Sequence, residues 1–339
     1  MLQDNHSETG SRKHSRKDRP NIVVIGGGTG VSTVLSALKR VANVTAIVSM
    51  MDSGGSSGKL RSEQGVLPPG DILKCISELL PDDGRSTKWR DFLNYRFQKG
   101  EGLKGHSLGN LLLTAAYDWE GGTSFGIDAL AWLLNLEGRV LPVTLNNVEL
   151  VARLSDGREV FGETNIDLRT QDLDRKIEYI TLSRRAQIFR PAADAIRSAD
   201  KIVIGPGSLF TSILPNFLVE GVSDALAESR ATKIYVCNLV TDPAETDGYK
   251  ASDFIQKIAE YLDEKDMLDY AIVNTGPVSE LARRMYETEH KYPVQSDIDT
   301  ANKYVRNPVV TGSLCTGKAI LRHNSQILAQ TILELPCKS

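Results

Sequence analysis

Five short stretches bring glycine together with hydroxyl, carboxylate or imidazole side chains, a combination that suits a phosphorylated ligand. The first is Gly26-Gly27-Gly28-Thr29-Gly30. It follows an apolar run and precedes a helical stripe, so it reads as a strand-to-helix turn. Unpaired N–H groups at a helix start, with the helix dipole behind them, favour an anion. Glycine lets that anion approach the backbone. A dinucleotide fingerprint counted from Gly26 would need glycine at 31, where Val31 stands. The loop is therefore a phosphate candidate without that fingerprint, although a tight turn packing a helix on a sheet also explains it.

The second stretch is Asp52-Ser53-Gly54-Gly55-Ser56-Ser57-Gly58-Lys59. A Walker A loop needs four residues between its glycine and its Gly-Lys pair. Gly54 and Gly58 are one residue too close, and Leu60 follows the lysine. Asp52 could accept from a ribose or base, or hold a hydrated cation. The serines could donate to phosphate, and a flexible linker is the plain alternative. Pro68-Pro69-Gly70-Asp71 opens a helix with Asp71 as its expected N-cap, and capping alone would account for it. In Gly105-His106-Ser107-Leu108-Gly109-Asn110, His106 could donate to phosphate or act as acid or base, or be structural. Gly205-Pro206-Gly207-Ser208-Leu209-Phe210-Thr211-Ser212 repeats the strand–glycine–helix logic and adds three hydroxyls. No Ser/His/Asp order and no reactive Cys/His context is visible, so no catalytic residue is assigned.

The elements that must hold these loops follow from hydrophobic periodicity. Asn21–Ile25 is a short strand, and residues 31, 34, 35, 38 and 41 form a helical stripe. Val44–Met50 is a second buried strand, and residues 52–70 read as one long loop. Helices are expected over Asp71–Leu80, Lys88–Phe97, Ser107–Ala116 and Ile127–Leu136. Val148–Leu154 alternates and is followed by Asp156-Gly157 and Glu159–Glu163, a β-hairpin signal. The α/β rhythm resumes with strands at Lys201–Ile204, Lys233–Asn238 and Tyr270–Asn274. Helices are expected near 220–229, 250–262 and 278–288. Lys318–Arg322 reads as a last strand and Ser325–Leu333 as the closing helix. The expected fold is α/β, a mostly parallel sheet with a small antiparallel β-hairpin insertion near 140–190.

Composition narrows the classes further. The 339 residues are 41% hydrophobic and 24% charged, ordinary for a globular chain. A net charge of −3 gives no basic field for nucleic acid. No apolar run nears the ~18 residues that span a bilayer, so no membrane insertion is expected. Residues 1–20 hold Arg12, Lys13, Arg16, Lys17 and Arg19 without an apolar run behind them. They read as a disordered basic extension on an acidic body spanning 21–334, a single α/β domain. Cys75, Cys237, Cys315 and Cys337 form no CxxC pair and read as free thiols of a reducing cytosol. The five histidines show no zinc spacing, and no metal site is expected.

Taken together, these loops resemble the bacterial gluconeogenesis-factor family, which shares a superfamily with the 2-phospho-L-lactate transferases of deazaflavin cofactor synthesis. The resemblance rests on Gly26–Gly30, Asp52–Gly58, Pro68–Asp71, Gly105–Asn110 with Leu111-Leu112, Gly138-Arg139-Val140-Leu141-Pro142 and Gly205 through Asn216. Asn238, Glu245 through Tyr249 and Asp253 also fit, and the similarity runs over roughly residues 21–334. It implies a doubly wound, Rossmann-like fold that binds a nucleotide-type ligand at the sheet's carboxyl edge. It implies a cytoplasmic regulator that binds UDP-N-acetylglucosamine and influences cell shape and wall-precursor supply, with no cofactor. It leaves room for a regulatory protein partner of wall-precursor synthesis and for a homo-oligomer. The family's nucleotide-sugar tyrosine and arginine fall on Tyr286 and Arg322. A tyrosine there could stack on uracil, and an arginine could pair with pyrophosphate.

The expected ligand contacts are thus Gly27, Gly28, Thr29, Gly30, Asp52, Gly54, Gly55, Ser56, Ser57, Asp71, His106, Asn110, Gly205, Gly207, Ser208, Thr211, Asn238, Tyr286 and Arg322. One departure stands out. The family usually places two acids before Gly-Gly-Ser, and here Ser53 follows Asp52. That removes half of a cation-holding pair. A phospholactate-type transferase using a nucleotide-diphosphate donor and Mg²⁺ therefore ranks second to the UDP-sugar-binding regulator. A nicotinamide-dependent dehydrogenase, suggested only by the β–glycine–α–β start, ranks third because of Val31.

Overall fold

The computed structural model describes residues 18–171, 173–262, 267–317 and 319–338. Most of the expected basic extension lies outside the described residues. So does Lys318, the first residue of the last expected strand.

The chain opens with β1 (Asn21–Gly26), α1 (Gly28–Leu38) and β2 (Asn43–Val48). Four further helices follow: α2 (Gly55–Gln64), α3 (Gly70–Leu79), α4 (Gly84–Asn94) and α5 (Leu108–Trp119). Then come α6 (Thr123–Leu134) and β3 (Gly138–Pro142). The insertion comprises β4 (Leu150–Leu154), β5 (Glu159–Phe161), α7 (Glu163–Asp167) and β6 (Ile177–Leu182). The body resumes with α8 (Arg190–Arg197), β7 (Lys201–Ile204), α9 (Val222–Glu228) and β8 (Thr232–Val236). It continues through α10 (Ala251–Tyr261), β9 (Tyr270–Asn274), α11 (Glu280–Glu287), α12 (Ile298–Ala301) and β10 (Val310–Gly312). The chain closes with β11 (Cys315–Thr316), β12 (Arg322–His323) and α13 (Ser325–Glu334).

Among the described residues the main sheet has seven strands in the order β10-β9-β8-β7-β1-β2-β3. Every pairing in it is parallel. Chain order therefore reverses between β1 and β7, and helices flank the sheet. This is the doubly wound arrangement, whose ligands sit at the strands' carboxyl ends beside that reversal. The strands read as near-continuous apolar runs because both faces are covered. Ile22, Val23, Val24 and Ile25 are all buried, as is every residue of β7 and β8. Helix α1 buries Val31, Val34, Leu35 and Leu38 on one stripe, and α3 buries Ile72, Leu73, Ile76 and Leu79. Helix α13 packs against α1. The buried Lys201 at the start of β7 donates from Nζ to the carbonyls of Ile332, Leu333 and Leu335, at 2.8, 2.7 and 2.6 Å. A cation is well placed there, where the last carbonyls of α13 lack helical partners.

Four elements differ from expectation. Of the last expected strand, Lys318–Arg322, only Arg322 is in a strand among the described residues, the two-residue β12 paired antiparallel with β11. Residues 55–64, read as loop, form α2; Leu60 is its one buried apolar side chain, so no stripe announces it. Polar contacts hold it instead: Ser57 Oγ accepts from the Gly70 N–H at 3.1 Å. Gly138–Pro142, placed at the margin of the insertion, is the edge strand β3 paired with β2. Proline at its end is tolerated because no further strand needs that N–H. The insertion itself is a three-stranded antiparallel sheet in the order β5-β4-β6, one strand larger than a hairpin.

Candidate functional site

A cleft of about 750 Å³ opens where β1, β7 and β8 end. Gly28, Thr29 and Gly30 form part of one wall. Helix α1 starts there, and its cap, Gly27, supplies no side-chain hydrogen bond. The first N–H groups of α1 are thus without a side-chain partner beside the cleft. Gly207 and Ser208, from the loop after β7, face it. The two loops touch: a Cβ on Gly30 would lie 1.8 Å from the Pro206 carbonyl oxygen. A Cβ on Gly28 would lie 2.7 Å from Asp71 Oδ1. Glycine at these two positions is required by close approach.

Side chains complete the cleft. Asn238 Nδ2 donates to the Gly207 carbonyl at 2.8 Å, while its buried Oδ1 has no partner. Arg322 lines the cleft and is exposed. Its segment is held from behind, because the Leu321 N–H donates to Tyr286 Oη at 3.3 Å. His323 is buried beside it, with Nε2 3.1 Å from the Cys237 carbonyl. A carbonyl only accepts, so Nε2 carries the proton. Burial pushes this imidazole down to about 4 and keeps it neutral.

Five carboxylates also line the cleft, Asp52, Asp71, Glu78, Glu163 and Asp167, and Asp71 packs against the Gly28 turn itself. Asp52 Oδ1 accepts from the Gly54 N–H at 2.9 Å. Burial, then the charge of Asp71, raises Asp52 above the usual carboxylate range. Burial and the charges of Asp52 and Asp167 push Glu163 up to about 7. Asp167 is raised by burial and by Asp242. Lys74 offsets part of this charge, with Nζ 2.9 Å from Asp71 Oδ1. Burial would lower the Lys74 ammonium, but Asp71 and Asp52 hold it above its ordinary value.

The cleft therefore gathers Gly28, Thr29, Gly30, Asp52, Asp71, Gly207, Ser208, Asn238 and Arg322 from the expected set. The others stand behind it. Asp71 occupies the second position of α3, whose cap is Pro69, so it is not the N-cap. Gly27 packs at Ser212. Gly54 and Gly55 start α2, where buried Ser56 Oγ meets His106 Nδ1 at 2.8 Å. Asn110 is buried in the first turn of α5, its N–H donating to Ser107 Oγ at 3.2 Å. Gly205 ends on Ile213, and buried Thr211 Oγ1 donates to Glu245 Oε1 at 2.5 Å. Glu245 Oε2 also accepts from the Phe210 N–H at 2.8 Å, so this buried acid braces the second loop.

Lys74, Ser212, Glu163 and Asp167 were not among the expected contacts. Lys74 carries a local sequence signal, three residues after Asp71 on one helix face. Glu163 and Asp167 carry none, because they come from α7 in the insertion. Ser53, which replaces the second acid, explains how α7 is held: its Oγ accepts from the Thr164 N–H at 3.0 Å. Mg²⁺ typically takes one or two carboxylates and fills its shell with water and phosphate oxygens. Among the described residues no three His, Cys, Asp or Glu side chains form a metal-holding group. Asp52 fits as a single carboxylate ligand to an ion carried in on phosphates.

The profile of the 2-phospho-L-lactate transferase CofD family matches residues 22–314. The gluconeogenesis factor of Bacillus subtilis is 36% identical over 323 residues, covering 94% of this chain and 98% of that protein. The gluconeogenesis factor of Halalkalibacterium halodurans is 38% identical over 321 residues, covering 93% and 96%. The X-ray structure of a Bacillus halodurans protein superposes with a TM-score of 0.88 at 37% identity, covering 94% of this chain and all of that one.

Proposed function

The chain belongs to the gluconeogenesis-factor family, within the reach of the CofD profile, and from that premise we propose that it binds a nucleotide-sugar diphosphate, UDP-N-acetylglucosamine, as a regulatory ligand. The observation that carries the reading is the convergence of two glycine loops at the sheet's reversal point, with Arg322 at the rim. The unpartnered N–H groups of α1 and the Ser208 hydroxyl take the pyrophosphate. Arg322 supplies a forked, charge-assisted contact that a lysine would not reproduce. Asp52, Glu163 and Asp167, which line the same cleft, accept hydrogen bonds from ribose and sugar hydroxyls. Under this reading the protein works in the cytoplasm on wall-precursor supply and cell shape, through a protein partner. No described helix is long and apolar enough to cross a membrane.

Isothermal titration tests the reading. Wild-type protein should bind UDP-N-acetylglucosamine, and Arg322→Ala should weaken binding by about 10- to 100-fold, the worth of a charged hydrogen bond. No heat at millimolar ligand sinks the proposal. A second reading, phospholactate-type transfer, is favoured by the family profile and by Asp52, which lines the same cleft as the two glycine loops. Incubation with a deazaflavin acceptor, activated phospholactate and Mg²⁺ decides it; product formation would make the transferase the better account.

A further inference from the structure

The insertion joins the body through two short segments, residues 147–149 before β4 and residues 183–184 after β6. They are bonded to each other: the Ser183 N–H donates to the Glu149 carbonyl at 2.9 Å, and the Glu149 N–H donates to Ser183 Oγ at 3.0 Å. Helix α2 reaches this root from the body through Arg61. Its Nε donates to Asn147 Oδ1 at 2.7 Å and its Nη2 to the Val148 carbonyl at 2.6 Å. Arg184 bonds to the same asparagine, its Nε donating to the Asn147 carbonyl at 3.0 Å and its Nη2 sharing that oxygen. Asn147 thus gathers two guanidinium groups at one place.

Each arginine has five N–H donors, and these bonds use two on each. The acceptors are neutral amide oxygens, so none of these contacts offsets either charge. Arg61 Nη1 is buried and has no partner, a costly state for a charged donor. Burial lowers the Arg61 guanidinium below its ordinary value, and the charges of Glu149 and Asp52 oppose that.

A cavity of about 560 Å³ opens on both arginines, a size within the range of small-molecule sites. Glu149 and Ser183 also line it. Two guanidiniums against one carboxylate leave a net positive lining. Paired guanidiniums match the oxygens of a phosphate through forked, charge-assisted bonds. Glu149 repels a bare phosphate but accepts from a hydroxyl, so it favours a ligand that carries both groups. The Ser183 hydroxyl accepts from the Glu149 N–H and keeps its own proton to donate.

We propose that this pocket at the root of the insertion binds a sugar phosphate or similar polyol phosphate, its phosphate between Arg61 and Arg184 and its hydroxyls on Glu149. Ser53 lines this pocket while its neighbour Asp52 lines the cleft, and the two cavities share no lining residue. The proposal therefore stands whether or not the cleft takes a nucleotide sugar.

Isothermal titration of the full chain with glucose 6-phosphate, inorganic phosphate and glucose tests it. Glucose 6-phosphate should bind, inorganic phosphate should bind about tenfold more weakly, and glucose should give no heat. Arg184→Glu should weaken glucose 6-phosphate by about 30-fold or more, the worth of a charged hydrogen bond turned to repulsion. Arg184 is exposed, so the melting temperature of that variant should stay at the wild-type value. Glu149→Gln should strengthen inorganic phosphate several-fold and narrow its gap to glucose 6-phosphate. Arg322→Ala, in the cleft, should change none of these values. Three results would overturn the proposal: no heat with glucose 6-phosphate up to about 10 mM, binding that Arg322→Ala removes and Arg184→Glu spares, or inorganic phosphate binding as tightly as glucose 6-phosphate to the wild type.

Discussion

The loop after β1 and the loop after β2 look alike in sequence and differ in use. Both follow a buried parallel strand, and both are rich in glycine and hydroxyls. The first stays open: its glycines line the cleft and press against Pro206 and Asp71. The second closes on itself as α2, and its serines turn inward to His106 and Gly70. From that stretch Asp52 faces the cleft and Ser53 ties down α7. The difference lies in position. β1 borders the point where chain order reverses, and β2 is one strand away, so the crevice forms over the first loop. A glycine-rich turn after a strand therefore opens a cleft only where the strand order reverses beside it.

The contrast breaks or holds most visibly at single glycines. Gly30→Ala should cost about 3 kcal/mol or more in urea unfolding, because its methyl would overlap a backbone carbonyl that cannot move freely. Gly55→Ala has open space around its Cβ and pays only for a φ of +45°, about 1–2 kcal/mol. The reverse order would show that Gly55, and not Gly30, is the constrained position.

Ser56→Ala removes the buried bond to His106 and leaves that ring without its partner, so it should cost about 1–3 kcal/mol of stability. Its affinity for UDP-N-acetylglucosamine should match wild type. A tenfold loss of affinity at unchanged stability would move the second loop into the binding site.

The smallest effect is on pH dependence. Burial first, then Asp52 and Asp167, raise Glu163 to about 7. Lowering the pH from 8 to 6 protonates it and removes a negative charge from the cleft. A diphosphate diester does not titrate in that window, so binding should strengthen several-fold. Glu163→Gln should flatten the profile. The sign for stability follows from the same shift. A carboxyl raised in the folded state favours folding fully below its unfolded value near 4.5, and that contribution fades as pH rises through 7. Glu163→Gln should therefore unfold at higher urea than wild type at pH 8.

Much of this was legible in the chain because the relevant signals are local. Strand β1, the glycines at 26–30 and the stripe of α1 announce one another within twenty residues. The same holds for β7 and the loop at 205–208. What stayed hidden depends on tertiary contact. Helix α2 has no apolar stripe and is fixed by polar bonds to residues 70 and 106. Thr211 reads as a ligand hydroxyl until Glu245, 34 residues on, is seen to hold it. That the Tyr286 hydroxyl accepts from the Leu321 N–H, and so braces the segment carrying Arg322, has no local signal either. Glu163 and Asp167 belong to an insertion whose place over the cleft no periodicity predicts.

The lysine at the start of β7 gives the fold a clock. Lys201 rests on the carbonyl of Ile332, which lies 131 residues further along the chain. At synthesis rates of 5–20 residues per second, roughly 7–26 s separate the emergence of the two. During that interval the Lys201 ammonium lacks its three carbonyl acceptors, and α1 lacks the helix that packs against it. The glycine loops after β1 and β7 are made early and locked late, so a nascent chain stalled before α13 should engage chaperones.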